Sequence, residues 1–170
     1  MTKAMRKGVL AAAALVFLFS TQAFAQATDT ASVTVSATVA AKAKLTLDSA
    51  TATFNDADPT TTPTLTATAA IGVDVRARTS ASGNVTLTVK AGGNLVTAAG
   101  DAIPIANLTW TVAGAAGYAP GTMSSTSAVS LGSWTGSGTQ TGSQTYKLVN
   151  SWSYVTGSYS ATITYTLTAP

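Results

Sequence analysis

Asn55, Asp56 and Asp58 form the densest set of hard oxygen ligands in the chain, and carboxylates and carbonyls are what Ca²⁺ selects. The chain has no Glu and no EF-hand loop surrounds these residues. With Pro59 following, the same types are those a turn uses. We therefore read the segment as a turn with solvated carboxylates and expect no metal and no cofactor. A second group is aromatic. Trp110, Trp134 and Trp152, with Tyr118 and Tyr154, have the flat faces on which sugar rings stack. Trp110 is in phase with an inward strand face and reads as core, whereas Trp134 and Trp152 lie near loops and are the candidates for sugar stacking. Catalysis has no comparable set. His, Cys and Glu are all absent, so nothing stands ready to activate a Ser or Thr, and the six Asp show no paired spacing. The chain is not expected to be an enzyme.

The elements that would carry these residues begin after an export address. Lys3, Arg6 and Lys7 precede an apolar run from Val9 to Phe19, and Ala23-Phe24-Ala25 precedes Gln26. That layout predicts a secretory signal peptide over residues 1–25. Its apolar run falls short of the ~20 residues that a membrane span needs. The mature chain, from Gln26, is expected to be exported through the periplasm and to reside outside the cell or at its surface. Removing the leader takes three of the nine basic residues and leaves six, against six Asp. The sequence pI of about 9.3 thus belongs mostly to the leader, and a neutral chain offers no overall electrostatic footprint for nucleic acid or anionic lipid. Without cysteine, packing and strand pairing alone must hold the exported fold.

Thr and Val are abundant and favour pleated, half-solvated surfaces over helix. From Ala31 to Leu47 every odd position is apolar, including Val33, Val35, Ala37, Val39, Leu45 and Leu47, which is the period of a half-buried strand. No Gly, Pro, Asn or Asp interrupts it. Fully extended it would reach roughly 55 Å, against roughly 17 to 20 Å for ordinary strands. Either it kinks near Ala40-Ala41 and serves two sheets, or its first half leaves the domain and completes a neighbour. Thr64 to Arg78 predicts a second long strand with a bulge or bend at Gly72. A turn at Ser80 to Asn84 predicts a hairpin with Val85, Leu87 and Val89 on the returning strand. Further strands are expected at Leu95-Val96, Ile103 to Val112, Ser127 to Leu131 and Thr145 to Val149. The Gly/Ser/Thr stretch from Gly132 to Ser143 is expected to be a mobile loop or a flat edge. The chain closes on Gly157, Tyr159, Ala161, Ile163, Tyr165 and Leu167. Seven or eight strands without a helical period predict an all-β, immunoglobulin-like β-sandwich over residues 41–170, preceded by an extension over residues 26–40.

This layout resembles the pilin subunits of chaperone-usher fibres, especially those of the spore coat U type. In such chains an alternating N-terminal extension precedes the domain, and the last strand carries Gly-x-Tyr followed by alternating apolar residues. The resemblance implies a donor strand at Val33, Val35, Ala37 and Val39, and a closing, acceptor strand at Gly157, Tyr159, Ile163, Tyr165 and Leu167. It further implies head-to-tail polymerisation with copies of itself by donor-strand exchange, assisted by a periplasmic chaperone and an usher. The disulfide common in that family is missing here. A weaker resemblance links Tyr159 to Pro170 with WxL cell-wall-binding domains, Tyr165-Thr166-Leu167 standing where Trp-x-Leu would be and Trp110-Thr111-Val112 matching an upstream copy. The alternative it implies is a monomeric secreted cell-wall- or carbohydrate-binding module.

Overall fold

Alternation of apolar residues with Thr and Ser makes strands of most of the chain, and the remaining question is which strands pair. A computed structural model describes residues 27–170; the expected signal peptide, residues 1–25, lies outside the described residues. Residues up to Ala37 belong to one unit and Thr38–Pro170 to another. In the first unit, residues 27–37 have neither strand nor helix and are exposed at every position.

The second unit is all-β. Its strands are β1 (Lys42–Leu47), β2 (Thr64–Thr66), β3 (Ile71–Arg78), β4 (Asn84–Ala91), β5 (Leu95–Val96), β6 (Ala102–Ile103), β7 (Leu108–Gly114), β8 (Gly121–Thr122), β9 (Val129–Thr135), β10 (Gly138–Val149) and β11 (Ile163–Thr168). One sheet has the order β1-β3-β10-β7-β8, with β2 also paired to β10; a second has the order β11-β4-β9; β5 and β6 form a small ribbon. All pairings are antiparallel. The inward faces meet in one cluster, with Val73 and Val75 of β3, Trp110 of β7 and Tyr146 of β10 from the larger sheet and Leu87 and Val89 of β4 and Leu131 of β9 from the smaller. Each fully buried Val or Leu stabilises the sandwich by about 1.5 to 3 kcal/mol. No helix among the described residues is long and apolar enough to cross a membrane.

Several sequence expectations change. The run from Ala31 to Leu47 is strand only from Lys42. The run from Thr64 to Arg78 breaks after Thr66, where Ala67 N–H donates to Tyr146 O (2.9 Å) and Thr68 N–H turns to Thr53 O (2.8 Å). Gly72 lies inside β3 and donates its N–H to Asp48 Oδ1 (2.7 Å). β3 and β4 form no hairpin, because they belong to different sheets. Both carry a full apolar face, and the Ser80–Asn84 connection lets those faces oppose each other across the core rather than lie side by side.

The largest departure is the Gly/Ser/Thr stretch. Residues 132–135 belong to β9, and 138–143 begin β10, the central strand, paired to β3 over 138–144 and to β7 over 142–148. Its cover comes from elsewhere in the chain. The Tyr118 ring lies over Gly142, where a Cβ would collide with it. The Tyr118 hydroxyl sits between Val73 O (3.1 Å) and Gln140 O (3.2 Å).

Candidate functional site: an open strand edge

β11 is paired to β4 along its whole length, from Ile163 opposite Ala91 to Thr168 opposite Thr86. No described strand pairs its other edge. The consequence is visible residue by residue. On β4, Ala91, Val89 and Leu87 are 1%, 0% and 0% exposed, yet their direct partners Ile163, Tyr165 and Leu167 are only half-buried. Residues directly opposite in an antiparallel pair share one face of the sheet, so the inward phase is the same and only the lateral cover differs. The larger sheet repeats the pattern at β1: Leu45 and Leu47 are half-buried, while their partners Val75 and Val73 are 1% exposed. β1 and β11 approach within 8 Å, Cα to Cα, but no ladder joins them.

Inside this open side sits a polar chain that links the two sheets. Tyr165 O–H donates to Gln144 Oε1 (2.6 Å), which leaves the Tyr146 hydroxyl to donate to Tyr165 Oη (2.7 Å). Gln144 is fully buried, and its Nε2 has no partner. Burial pushes both phenols above the ordinary tyrosine range, and for Tyr146 the neighbouring Tyr165 adds to the effect. Sequence reading missed Gln144 and Tyr146 as a pair. The signal available was a Gln in phase with Tyr146 and Leu148 on an alternating strand.

The expected site residues fall in three places. Val33, Val35 and Val39 are 86%, 89% and 67% exposed, and Ala37 is exposed with them. Ile163, Tyr165 and Leu167 make the inward face of β11. Gly157 and Tyr159 precede that strand, and Tyr159 O–H donates to Val155 O (2.7 Å). Ser160 and Val96 exchange backbone hydrogen bonds of 3.0 and 3.1 Å, which fixes the approach to β11.

The two tryptophan candidates are not brought together. Trp134 is half-buried, its indole N–H donates to Ala116 O (2.8 Å), and its ring stands edge-on to Tyr118 with centroids 5.0 Å apart. Trp152 is 73% exposed and donates its indole N–H to Thr60 Oγ1 (3.1 Å). It borders a cleft of about 740 Å³ that Asp56, Asp58, Tyr154 and Tyr159 also line and Trp134 does not. Asp58 Oδ1 accepts from Thr60 N–H (2.8 Å), and Asp58 O from Thr62 N–H (2.8 Å), the hydrogen bonds of a turn. Among the described residues no group of three acidic, His or Cys side chains could hold a metal ion. No protein-family model and no curated protein matches the chain.

Proposed function

We propose that the chain is the structural subunit of an extracellular pilus or matrix fibre, polymerising head to tail by donor-strand exchange. Residues 31–40 of one copy add to the unpaired edge of β11 in the next, with Val33, Val35 and Val39 turned toward the space between β1 and β11. The observation that carries this reading is the half-buried face of β11 beside the fully buried face of β4. Strand order supports it. Read as an immunoglobulin-like sandwich, the orders β1-β3-β10-β7 and β11-β4 would correspond to A-B-E-D and F-C. In that arrangement a strand G lies against F, and no described strand occupies its place.

Physical chemistry supports it as well. An unpaired apolar strand edge templates pairing with another chain, and strand addition combines ladder hydrogen bonds with side chains entering the core. Three valines at about 1.5 to 3 kcal/mol each, with a ladder whose bonds contribute about 0.5 to 1.5 kcal/mol each, reach the order of 10 kcal/mol before ordering costs. A head-to-tail contact of that kind does not close on itself, so it yields filaments. Export under the expected signal peptide would require the edge to be covered until a donor arrives, the role of a periplasmic chaperone and an usher.

The test is negative-stain electron microscopy of the secreted protein beside a version lacking residues 26–40. Filaments from the first and none from the second are expected. Compact monomers from both would overturn the proposal and favour the second reading, a monomeric cell-wall- or carbohydrate-binding module, for which the exposed Trp152 above its cleft is the specific observation.

A further inference from the structure

Lys42 and Lys44 of β1 stand directly opposite Arg78 and Arg76 of β3. Opposed residues of an antiparallel pair point to one face, with Cβ atoms about 4.5 to 5.5 Å apart, and same-face neighbours along a strand are about 7 Å apart. The four cations therefore occupy one small rectangle. It lies on the outer face: Val75 and Ala77, the alternate residues of β3, turn inward, and all four basic residues are exposed. Like charges directly opposite are destabilising, and here two such pairs stand side by side. Among the described residues the only ion pair is Arg76 Nη2 with Asp74 Oδ2, at 3.3 Å.

The cluster is not a by-product of a basic chain. Residues 27–170 hold Lys42, Lys44, Arg76, Arg78, Lys90 and Lys147 against six Asp, so a neutral chain concentrates four of its six cations on two strands. Arg78 is also pre-set. Its Nε–H donates to Ala40 O (2.8 Å), which orients the guanidinium and leaves both terminal amino groups for a planar, bidentate anion. Thr46, Thr139 and Thr141 lie on the same face by register and are exposed, adding hydroxyls beside the charges. A shallow depression of about 420 Å³ runs between the cations.

We infer that this face binds an acidic polysaccharide, with carboxylates seated between Lys42 and Arg78 and between Lys44 and Arg76. Nucleic acid fits less well. No aromatic ring lines the depression to stack a base, and the cations stand on the face of a multi-stranded sheet instead of on a helix or two-stranded ribbon that a groove admits. A lipid surface fits less well too, since no large apolar side chain flanks the charges. The inference is independent of polymerisation, because the rectangle lies within one copy.

The test is binding of the full chain to immobilised polygalacturonate and to its fully methyl-esterified form, at about 20 and about 150 mM salt, spanning weak to physiological screening. Binding to the acid form is expected, weaker by about tenfold for the ester and weakened by salt, as for charge-assisted contacts. K42Q/K44Q is expected to lose about tenfold in affinity while melting no lower than the parent, because it relieves two like-charge pairs. K90Q/K147Q removes the same charge elsewhere and is expected to bind within about twofold of the parent. Equal binding of the ester, parent-like affinity of K42Q/K44Q, or tighter binding of duplex DNA or phosphatidylserine vesicles than of polygalacturonate at equal salt would overturn the inference.

Discussion

The two lateral sides of this sandwich solve the same problem in opposite ways. On the β8–β9 side the chain crosses between sheets and seals them. Ala119 N–H donates to Leu131 O (2.9 Å), Ser133 N–H to Gly117 O (3.1 Å) and the Trp110 indole to Ala119 O (2.9 Å), and Met123 is 2% exposed. Gly117, at φ +100°, makes the crossing possible, since a side chain there would be strained and would also strike the Trp134 ring. On the β1–β11 side no ladder joins the two strands among the described residues of the sandwich, and Leu45, Leu47, Ile163, Tyr165 and Leu167 stay half-buried. The two sides share one core, so the difference is lateral cover and not hydrophobicity. A closed side costs a loop with special backbone; an open side leaves apolar surface and a bare edge for another chain.

The sharpest way to break this comparison uses two leucines that face each other. Leu87 and Leu167 are direct partners in the β4–β11 ladder, yet Leu87 is 0% exposed and Leu167 half-buried. Leu87→Ala is expected to destabilise the isolated subunit by about 2 to 5 kcal/mol, as transfer and cavity terms add. Leu167→Ala should cost roughly half as much, because part of its surface is already wet and no closed cavity remains. Urea unfolding of both variants measures the gap. Equal losses would mean that the β11 edge is as well covered as β4.

Such a contrast is hard to see in sequence, because Leu87 and Leu167 both sit in clean apolar–Thr alternation. That alternation made the β class legible, and with it the positions of β3, β4 and β11, whereas the strand expected from Ile103 to Val112 is broken by a 3-10 turn over Ile105–Asn107 and β7 starts only at Leu108. It does not tell which sheet a strand joins, which is why Val85, Leu87 and Val89 read as the return of a hairpin instead of a partner across the core. β10 was illegible over Gly138 to Ser143 for another reason: its apolar cover is the Tyr118 ring, supplied from a distant loop. The extension stood out through the absence of turn residues between Ala31 and Leu47. The open edge it is proposed to fill emerges only from comparing the exposure of paired residues. Likewise nothing in the sequence sets Lys42 and Lys44 against Arg78 and Arg76; only the β1–β3 register does.

Filling the open side should make it resemble the closed one. A synthetic peptide of residues 31–40, added to the chain lacking residues 26–40, is expected to raise its stability by about 2.7 kcal/mol at a hundredfold excess over the dissociation constant. Replacing Val33, Val35 and Val39 in the peptide with Asp should abolish the gain, since a buried unpaired charge is costly. Thermal melts against peptide concentration read both outcomes. A peptide that stabilises equally with Val or Asp would act outside the apolar face of β11.

The smallest effect is a change of slope in alkali, and it distinguishes the sides by their tyrosines. Burial and the nearby Asp74 carboxylate push Tyr118, on the closed side, up to about 12, and burial also raises Tyr165 on the open side. A phenol whose folded pKa lies above its unfolded value near 10 keeps its proton in the fold after the unfolded chain has lost it. Its stabilising contribution is therefore fully present below pH 10 and falls above it. While the folded phenol stays protonated, the loss is about 1.4 kcal/mol for each pH unit. Tyr165→Phe removes one such phenol, so its stability should fall less steeply above pH 10 than that of the parent, at the cost of about 1 to 3 kcal/mol at neutral pH for the Gln144 and Tyr146 hydrogen bonds left unmade. Phenolate absorbance adds the structural reading. With the peptide bound, Tyr165 loses its remaining contact with water and should ionise at higher pH than in the open subunit, while Tyr118 should titrate as before. A shift at both tyrosines, or at neither, would mean that the peptide does not distinguish the open side from the closed one.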